Sequence, residues 1–235
     1  MKRPSAILFD FFGTLVNYVE RAEHSSPDRT LQTLSALGVS TDLAELRTRM
    51  DNVYDPLEAA ANQSGEEYHT HTAMRHLLQT YGVKPTADAV ESVARDWITD
   101  WSRSVSMVDG LNRALAALET PMHIVSNTST PWLVGDAIGE LGIGDHFLST
   151  TASVDVGWRK PRPEIYELAI ERSGFPASEL LFVGDNPDCD YHGPVAAGMQ
   201  AVWISTVPSP AIPEESRITV MTDLPQWLAQ RSRGR

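Results

Sequence analysis

From Met107 to Ile204, short apolar runs alternate with helix-patterned segments, and that alternation limits what the chain can fold into. Residues 111–119 read as a helix that leads through Pro121 into the apolar run 122–125. Helix 132–141 precedes the run 147–150, helix 164–173 precedes 180–183, and a helix around 194–197 precedes 201–204. Such runs are too short for helices and suit strands buried on both faces. Strand and helix in strict alternation require a parallel sheet with right-handed crossovers, so the pattern predicts an α/β fold.

One more buried strand is expected at Ala6–Phe9, where an apolar run delivers Asp10 into the turn Phe11-Phe12-Gly13-Thr14. The long segment after that turn is helical in pattern. Leu43, Leu46, Met50, Val53 and Leu57 keep helical spacing, residues 66–81 form a helix ending at Gly82, and Val90, Val93, Ala94, Trp97, Ile98 and Trp101 make an apolar stripe. No strand pattern occurs between residues 16 and 106. The expected organisation is a core domain from 1–16 and 107–235, interrupted by a helical domain over 17–106. Residues 206–215 are rich in proline and read as a loop, and 223–230 as a last surface helix.

The chain has 235 residues, 42% of them hydrophobic, enough for a substantial core. A formal net charge of −12 argues against nucleic acid or an anionic membrane as partner, since binding either needs basic patches. One cysteine excludes an intrachain disulfide framework and fits a reducing compartment, so a cytoplasmic location is expected. No run approaches the length of a transmembrane helix. The basic start Met1-Lys2-Arg3 is followed by an apolar run that ends at Asp10, which reads as a core strand and not a signal peptide. The expected partner is a small molecule, bound by a monomer or homodimer.

The polar residues that come after the apolar runs carry the functional reading. Asp10 follows the first. Ser126 and Asn127 follow 122–125. Lys160 comes after 147–150, in Gly157-Trp158-Arg159-Lys160-Pro161. Asp185 and Asp190 follow 180–183, in Gly184-Asp185-Asn186-Pro187-Asp188-Cys189-Asp190. Singly, each reads as a turn or cap residue. Together they lie at carboxyl ends of strands, where open α/β sheets bind ligands.

This order and spacing, from about Ile7 to Trp203, resembles the four motifs of the haloacid dehalogenase superfamily. The resemblance implies a Rossmann-like parallel-sheet core, with the helical insertion as a C1 cap domain. It also implies hydrolysis of a small phosphorylated metabolite through an aspartyl-phosphate on Asp10. The residue chemistry agrees. A carboxylate nucleophile divides hydrolysis into two easier steps. Lys160 offers a point charge, and the Ser126 hydroxyl a hydrogen bond, to phosphoryl oxygens. Two anions need a hard divalent cation between them, so Mg²⁺ is the expected cofactor, held by Asp10 and Asp185. By the resemblance, the Phe12 backbone carbonyl is a further ligand, Asp190 holds Lys160 or a metal-bound water, and Thr14 orients Asp10. Asn127, Phe12, Tyr18, Arg21, His24 and Trp158 are the candidate substrate contacts.

One position departs from the family pattern. Where the phosphatases carry a second Asp, their general acid and base, this chain has Phe12. Three readings are open: a substrate with a good leaving group, a substitute such as His24, Glu20 or Asp188, or vestigial turnover that leaves a phospholigand-binding module. The 2-haloacid dehalogenases also lack this Asp and often carry an aromatic there, whereas Gly184-Asp185 and Pro187 depart from their pattern. Phosphonoacetaldehyde hydrolases need a cap lysine, and Lys84 in the turn 82–85 is poorly placed for it. His69, His71 and His76 read as a solvated helix. Cys189 reads as a small semi-buried side chain, and Trp97 and Trp101 as core of the helical domain.

Overall fold

The structure, a computed structural model, describes residues 3–18 and 27–233. The chain divides into two compact units, one of Met1–Asn17 with Met107–Arg235 and the other of Tyr18–Ser106.

The first unit is built on a six-stranded parallel sheet. Strand β1 (Ala6–Phe9) is entirely buried. Two three-residue strands, β2 (Val16–Tyr18) and β3 (Val105–Met107), form a separate two-stranded sheet where the chain leaves and re-enters the unit. They contradict the expectation of no strand from 16 to 106; pairs this short leave no periodicity to read. Four strands come next: β4 (Met122–Ser126), β5 (Ser149–Ala152), β6 (Leu180–Gly184) and β7 (Gln200–Ile204), with a two-residue β8 (Arg217–Ile218) at the edge. The order is β5-β4-β1-β6-β7-β8. In register, Ile7 faces Met122 on one side and Leu181 on the other, and Phe9 faces Ile124 and Val183. Strand β1 is therefore central, and the order reverses around it, with β4 and β5 to one side and β6 to β8 to the other. That is the switch point where ligands bind in such sheets.

Helices α5 (Leu111–Ala116), α6 (Leu133–Glu140), α7 (Ser153–Val156), α8 (Pro163–Ser173), α9 (Gly193–Ala196) and α10 (Leu224–Arg233) flank the strands. Helix α8 buries Ile165, Tyr166 and Ala169 against Ala6, Leu8, Val125, Leu180 and Phe182. The fifth strand lies two residues later than expected. Leu148 is 71% exposed, and the pairing uses Ser149, Thr150 and Thr151 against His123, Ile124 and Val125. The polar strand survives because its groups find partners: Ser149 Oγ meets buried His123 Nδ1 at 2.8 Å. The helix expected around 194–197 is found at Gly193–Ala196, one residue earlier, and comes after a π-helical turn, Pro187–His192.

The second unit contains four helices among its described residues: α1 (Asp28–Ala36), α2 (Leu43–Ser64), α3 (Thr70–Thr80) and α4 (Ala87–Ser102). Helix α3 starts four residues later than expected. His69 caps it, accepting from the His71 backbone, so the two rings meet at 4.5 Å and His71 Nε2 lies 2.8 Å from Glu91. The apolar stripe of α4 buries Val90, Val93 and Ala94, but Trp97 and Trp101 are half-buried and stack on Tyr54 and Tyr18. Asp100 also lies on the buried side, where its Oδ2 accepts from both the backbone N–H and the hydroxyl of Thr30 at 2.9 Å.

Candidate active site

The site in the first unit assembles at the carboxyl ends of β1, β4 and β6. Asp10 extends the ladder by one residue, its N–H donating to the Val183 carbonyl at 2.9 Å. The turn after it closes through Thr14, Leu15 and Val16 N–H groups on the Phe11 carbonyl. Gly13 has φ +85°, and a Cβ there would fall onto the Asp185 carboxylate. Both the backbone angle and the close approach therefore require glycine.

Asp10 is 7% exposed. Lys160 Nζ donates to its Oδ1 at 2.7 Å, and Thr14 Oγ1 to its Oδ2 at 3.1 Å. The same ammonium donates to Asp190 Oδ1 at 2.7 Å, and Asp190 Oδ2 accepts from Asn186 N at 2.9 Å. Lys160 is 3% exposed and Asp190 1%. Carboxylate oxygens of Asp10, Asp185 and Asp190 lie within 4.8 Å of one another. Three carboxylates thus share one ammonium.

Burial sets the titration behaviour, and the neighbouring charges modify it. Burial pushes the Asp10 carboxyl up to about 7; Lys160 opposes the rise, and Asp190 and Asp185 add to it. Asp185 is exposed as a residue, but desolvation of its carboxylate, with Asp190 beside it, raises its pKa as well. Burial by itself would lower the Lys160 pKa, but Asp10 and Asp190 outweigh it and raise it, so the ammonium stays charged.

The main chain of Lys160 is fixed as firmly as its side chain. Asn127 Oδ1 accepts from Lys160 N at 2.7 Å, and Asn127 Nδ2 donates to Lys160 O at 3.0 Å. The Asn127 side chain, expected at the substrate, is engaged instead on the backbone that carries the lysine. Cys189 Sγ also donates to Lys160 O, at 3.3 Å, and burial pushes its thiol up to about 11, which leaves it a protonated packing group. Tyr166, buried on α8, donates to the Cys189 carbonyl at 2.5 Å. Tyr166 and Asn186 do not stand out in the sequence as site residues. A tyrosine on the buried face of a helix must nonetheless place its hydroxyl somewhere, and Asn186-Pro187 is a cap signal, its Oδ1 accepting from Asp188 N and Cys189 N.

The remaining candidates are more scattered. Ser126 is fully buried at the end of β4, its hydroxyl weakly held 3.5 Å from the Asn127 carbonyl. Phe12 is half-buried with its ring edge-on to Phe11 at 4.9 Å. Trp158 is half-buried with the Arg162 guanidinium 4.5 Å over its ring. Tyr18 belongs to the helical unit, where it stacks on Trp101 at 4.9 Å. Arg21, His24 and Glu20 lie outside the described residues.

Comparison with known proteins adds three relatives. A phosphoglycolate phosphatase from Pectobacterium atrosepticum is 29% identical over 206 residues, 85% of this chain and 79% of its own length. A 2-haloacid dehalogenase from Pseudomonas syringae pv. Tomato DC3000 superposes with a TM-score of 0.66 at 21% identity, over 97% of this chain and 99% of that one. The HAD-hydrolase YfnB from Bacillus subtilis, in a crystal form bound to magnesium, superposes with a TM-score of 0.63 at 20% identity, over the same shares of the two chains. At these identities the two structures speak to the fold alone. The family model for haloacid dehalogenase-like hydrolase matches residues 4–198, which span β1 to the end of the Asp185–Asp190 loop and beyond. With the match covering most of the sequence and the parallel sheet in place, the chain belongs to the haloacid dehalogenase-like hydrolases.

Proposed function

We propose that this hydrolase is a Mg²⁺-dependent phosphatase of a small phosphorylated metabolite, with Asp10 as nucleophile and a cytoplasmic location. One observation carries the reading: a buried carboxylate at the sheet's switch point, held by Lys160 and Thr14, beside two further carboxylates that a single ammonium cannot neutralise. The donor set suits a hard cation, because every candidate ligand is oxygen. Burial raises the Asp10 pKa, with Asp190 and Asp185 adding to the rise, and a bound cation would favour the charged carboxylate against both. Asp10 and Asp185 would hold it, with the Phe12 carbonyl. Asp190 is committed to Lys160 and Asn186 and serves as their support. When bound, Mg²⁺ supplies the positive charge that lets an anionic phosphoryl group approach an anionic nucleophile.

The chain's own groups do the rest. Lys160 and Thr14 each hold one oxygen of Asp10 and set its rotation for attack on phosphorus. Lys160 and the Ser126 hydroxyl donate to the phosphoryl oxygens as charge develops on them. Asn127 fixes the Lys160 backbone. The helical unit is read as the cap, which makes Tyr18, Arg21 and His24 the first residues to vary for substrate choice, with Trp158 from the core. The named activity of the Pectobacterium relative supports phosphate chemistry.

A second reading, halide displacement from a 2-haloacid, draws on Phe12. Against it stand Asp185 and Asp190, whose charges beside Asp10 would repel an organic acid. A panel of phosphomonoesters, assayed with Mg²⁺ or EDTA beside halide release from 2-chloropropionate, separates the two. Phosphate release should need Mg²⁺, and Asp185→Ala should raise the Mg²⁺ requirement about 10-fold or more. Halide release that persists in EDTA, with no phosphate released, would refute the phosphatase.

A further inference from the structure

We propose that Asp10 is phosphorylated faster than it is dephosphorylated, so that the aspartyl-phosphate accumulates, and that the substrates are acyl or aryl phosphates, whose leaving groups depart without a proton. The proposal rests on the phosphatase reading above.

The turn after Asp10 holds no group that can carry a proton. Phe11 is fully buried, and Phe12 presents hydrocarbon, packed edge-on against Phe11. Gly13 has no side chain and no room for one against Asp185. The Thr14 hydroxyl is spent on Asp10 itself. The charged groups that act most on Asp10 are Lys160, Asp190 and Asp185. Lys160 donates to two carboxylates, and both oxygens of Asp190 already accept hydrogen bonds. Asp185 is the residue proposed to hold the cation.

Each half-reaction feels this differently. In the first, an Asp10 oxygen forms a bond to phosphorus while the bond from phosphorus to the leaving oxygen breaks. That oxygen keeps the electron pair. A carboxylate or phenolate leaves as the anion, whereas an alkoxide must take up a proton that none of these described residues supplies. In the second, water attacks phosphorus, the bond between phosphorus and the Asp10 oxygen breaks, and the carboxylate is restored. With none of the described residues of the turn free to take it, the water's proton goes to a phosphate oxygen or to solvent. A general acid or base is worth about 10²–10⁴ in rate, so its loss penalises alkyl esters in the first step and every substrate in the second.

The test uses the full chain with Mg²⁺ and three probes: acetyl phosphate, 4-nitrophenyl phosphate and glycerol 3-phosphate. Rapid mixing with 4-nitrophenyl phosphate should give a burst of nitrophenol approaching one per protein, then a slower steady rate. Acid-quenched intact mass should show one added phosphoryl group, absent from Asp10→Asn. The aryl-to-alkyl ratio of kcat/KM should exceed about 100, and a folded Phe12→Asp should lower both this ratio and the adduct occupancy about 10-fold or more. Equal turnover of alkyl and aryl phosphates without a burst would overturn the proposal while leaving the phosphatase intact, because a substitute acid and base would then be at work. So would a folded Phe12→Asp that changes neither readout. Absence of both turnover and adduct with all three probes would overturn the phosphatase reading and the proposal with it. Should Phe12→Asp fail to fold, the wild-type burst and ratio decide alone.

Discussion

Asp10 and Asp190 lean on one ammonium, and Asp185 adds a third negative charge nearby. With no cation bound, this arrangement makes Asp10 a liability for stability. The folded state holds the Asp10 proton up to about pH 7, whereas an unfolded aspartate releases it near 3.8. Between those values the folded state binds more protons, so the Asp10 contribution to stability falls as pH rises and is at its worst above 7. Asp10→Asn removes the charge and leaves a neutral Lys160–Asp190 pair. In EDTA the variant should therefore melt several degrees above the wild type at pH 8.5, with a smaller gap at pH 6, and Mg²⁺ should stabilise the wild type more than the variant. Thermal unfolding at the two pH values checks this; a gap that does not change with pH would contradict it. At this scale the sequence made the charged residues legible, because each comes after an apolar run. It concealed the hydrogen bonds that fix them. Asn127 and Cys189 act on the Lys160 main chain, and Tyr166 on that of Cys189. A bond to backbone asks nothing of its partner's side chain and leaves no pairwise signature.

Strands buried on both faces left contiguous apolar runs, and β1, β4, β6 and β7 lie within a residue of where those runs placed them. The edges of the sheet did not. The β5 strand is written in serine and threonine, and β8 has two residues. In the helical unit the missed element-scale feature is Asp100, which shares the buried side of α4 with Val93 and caps the start of α1 through Thr30. Asp100→Ala would leave the Thr30 N–H without its partner in a buried setting, at a cost of about 2–3 kcal/mol. Asp100→Asn keeps an acceptor oxygen and should cost less. Denaturant unfolding of the two variants measures this, and equal stabilities would show that the cap carries no weight.

At the scale of the molecule, the parallel sheet brings four separated stretches of sequence to one switch point, and the family is evident from that core. Among the described residues no helix is long and apolar enough to cross a membrane. What the core leaves open is the reaction, because dehalogenation and dephosphorylation share the nucleophile and differ in what surrounds it. Three carboxylates around one ammonium favour the reaction that brings a cation, and in the proposal above Phe12 shifts the rate-limiting step to dephosphorylation of Asp10. The most direct test is phosphate release from 4-nitrophenyl phosphate by wild type and Asp10→Asn, each with Mg²⁺ and with EDTA. The account predicts release only by the wild type and only with Mg²⁺. Activity that survives Asp10→Asn in a correctly folded protein, or that is indifferent to EDTA, would contradict it.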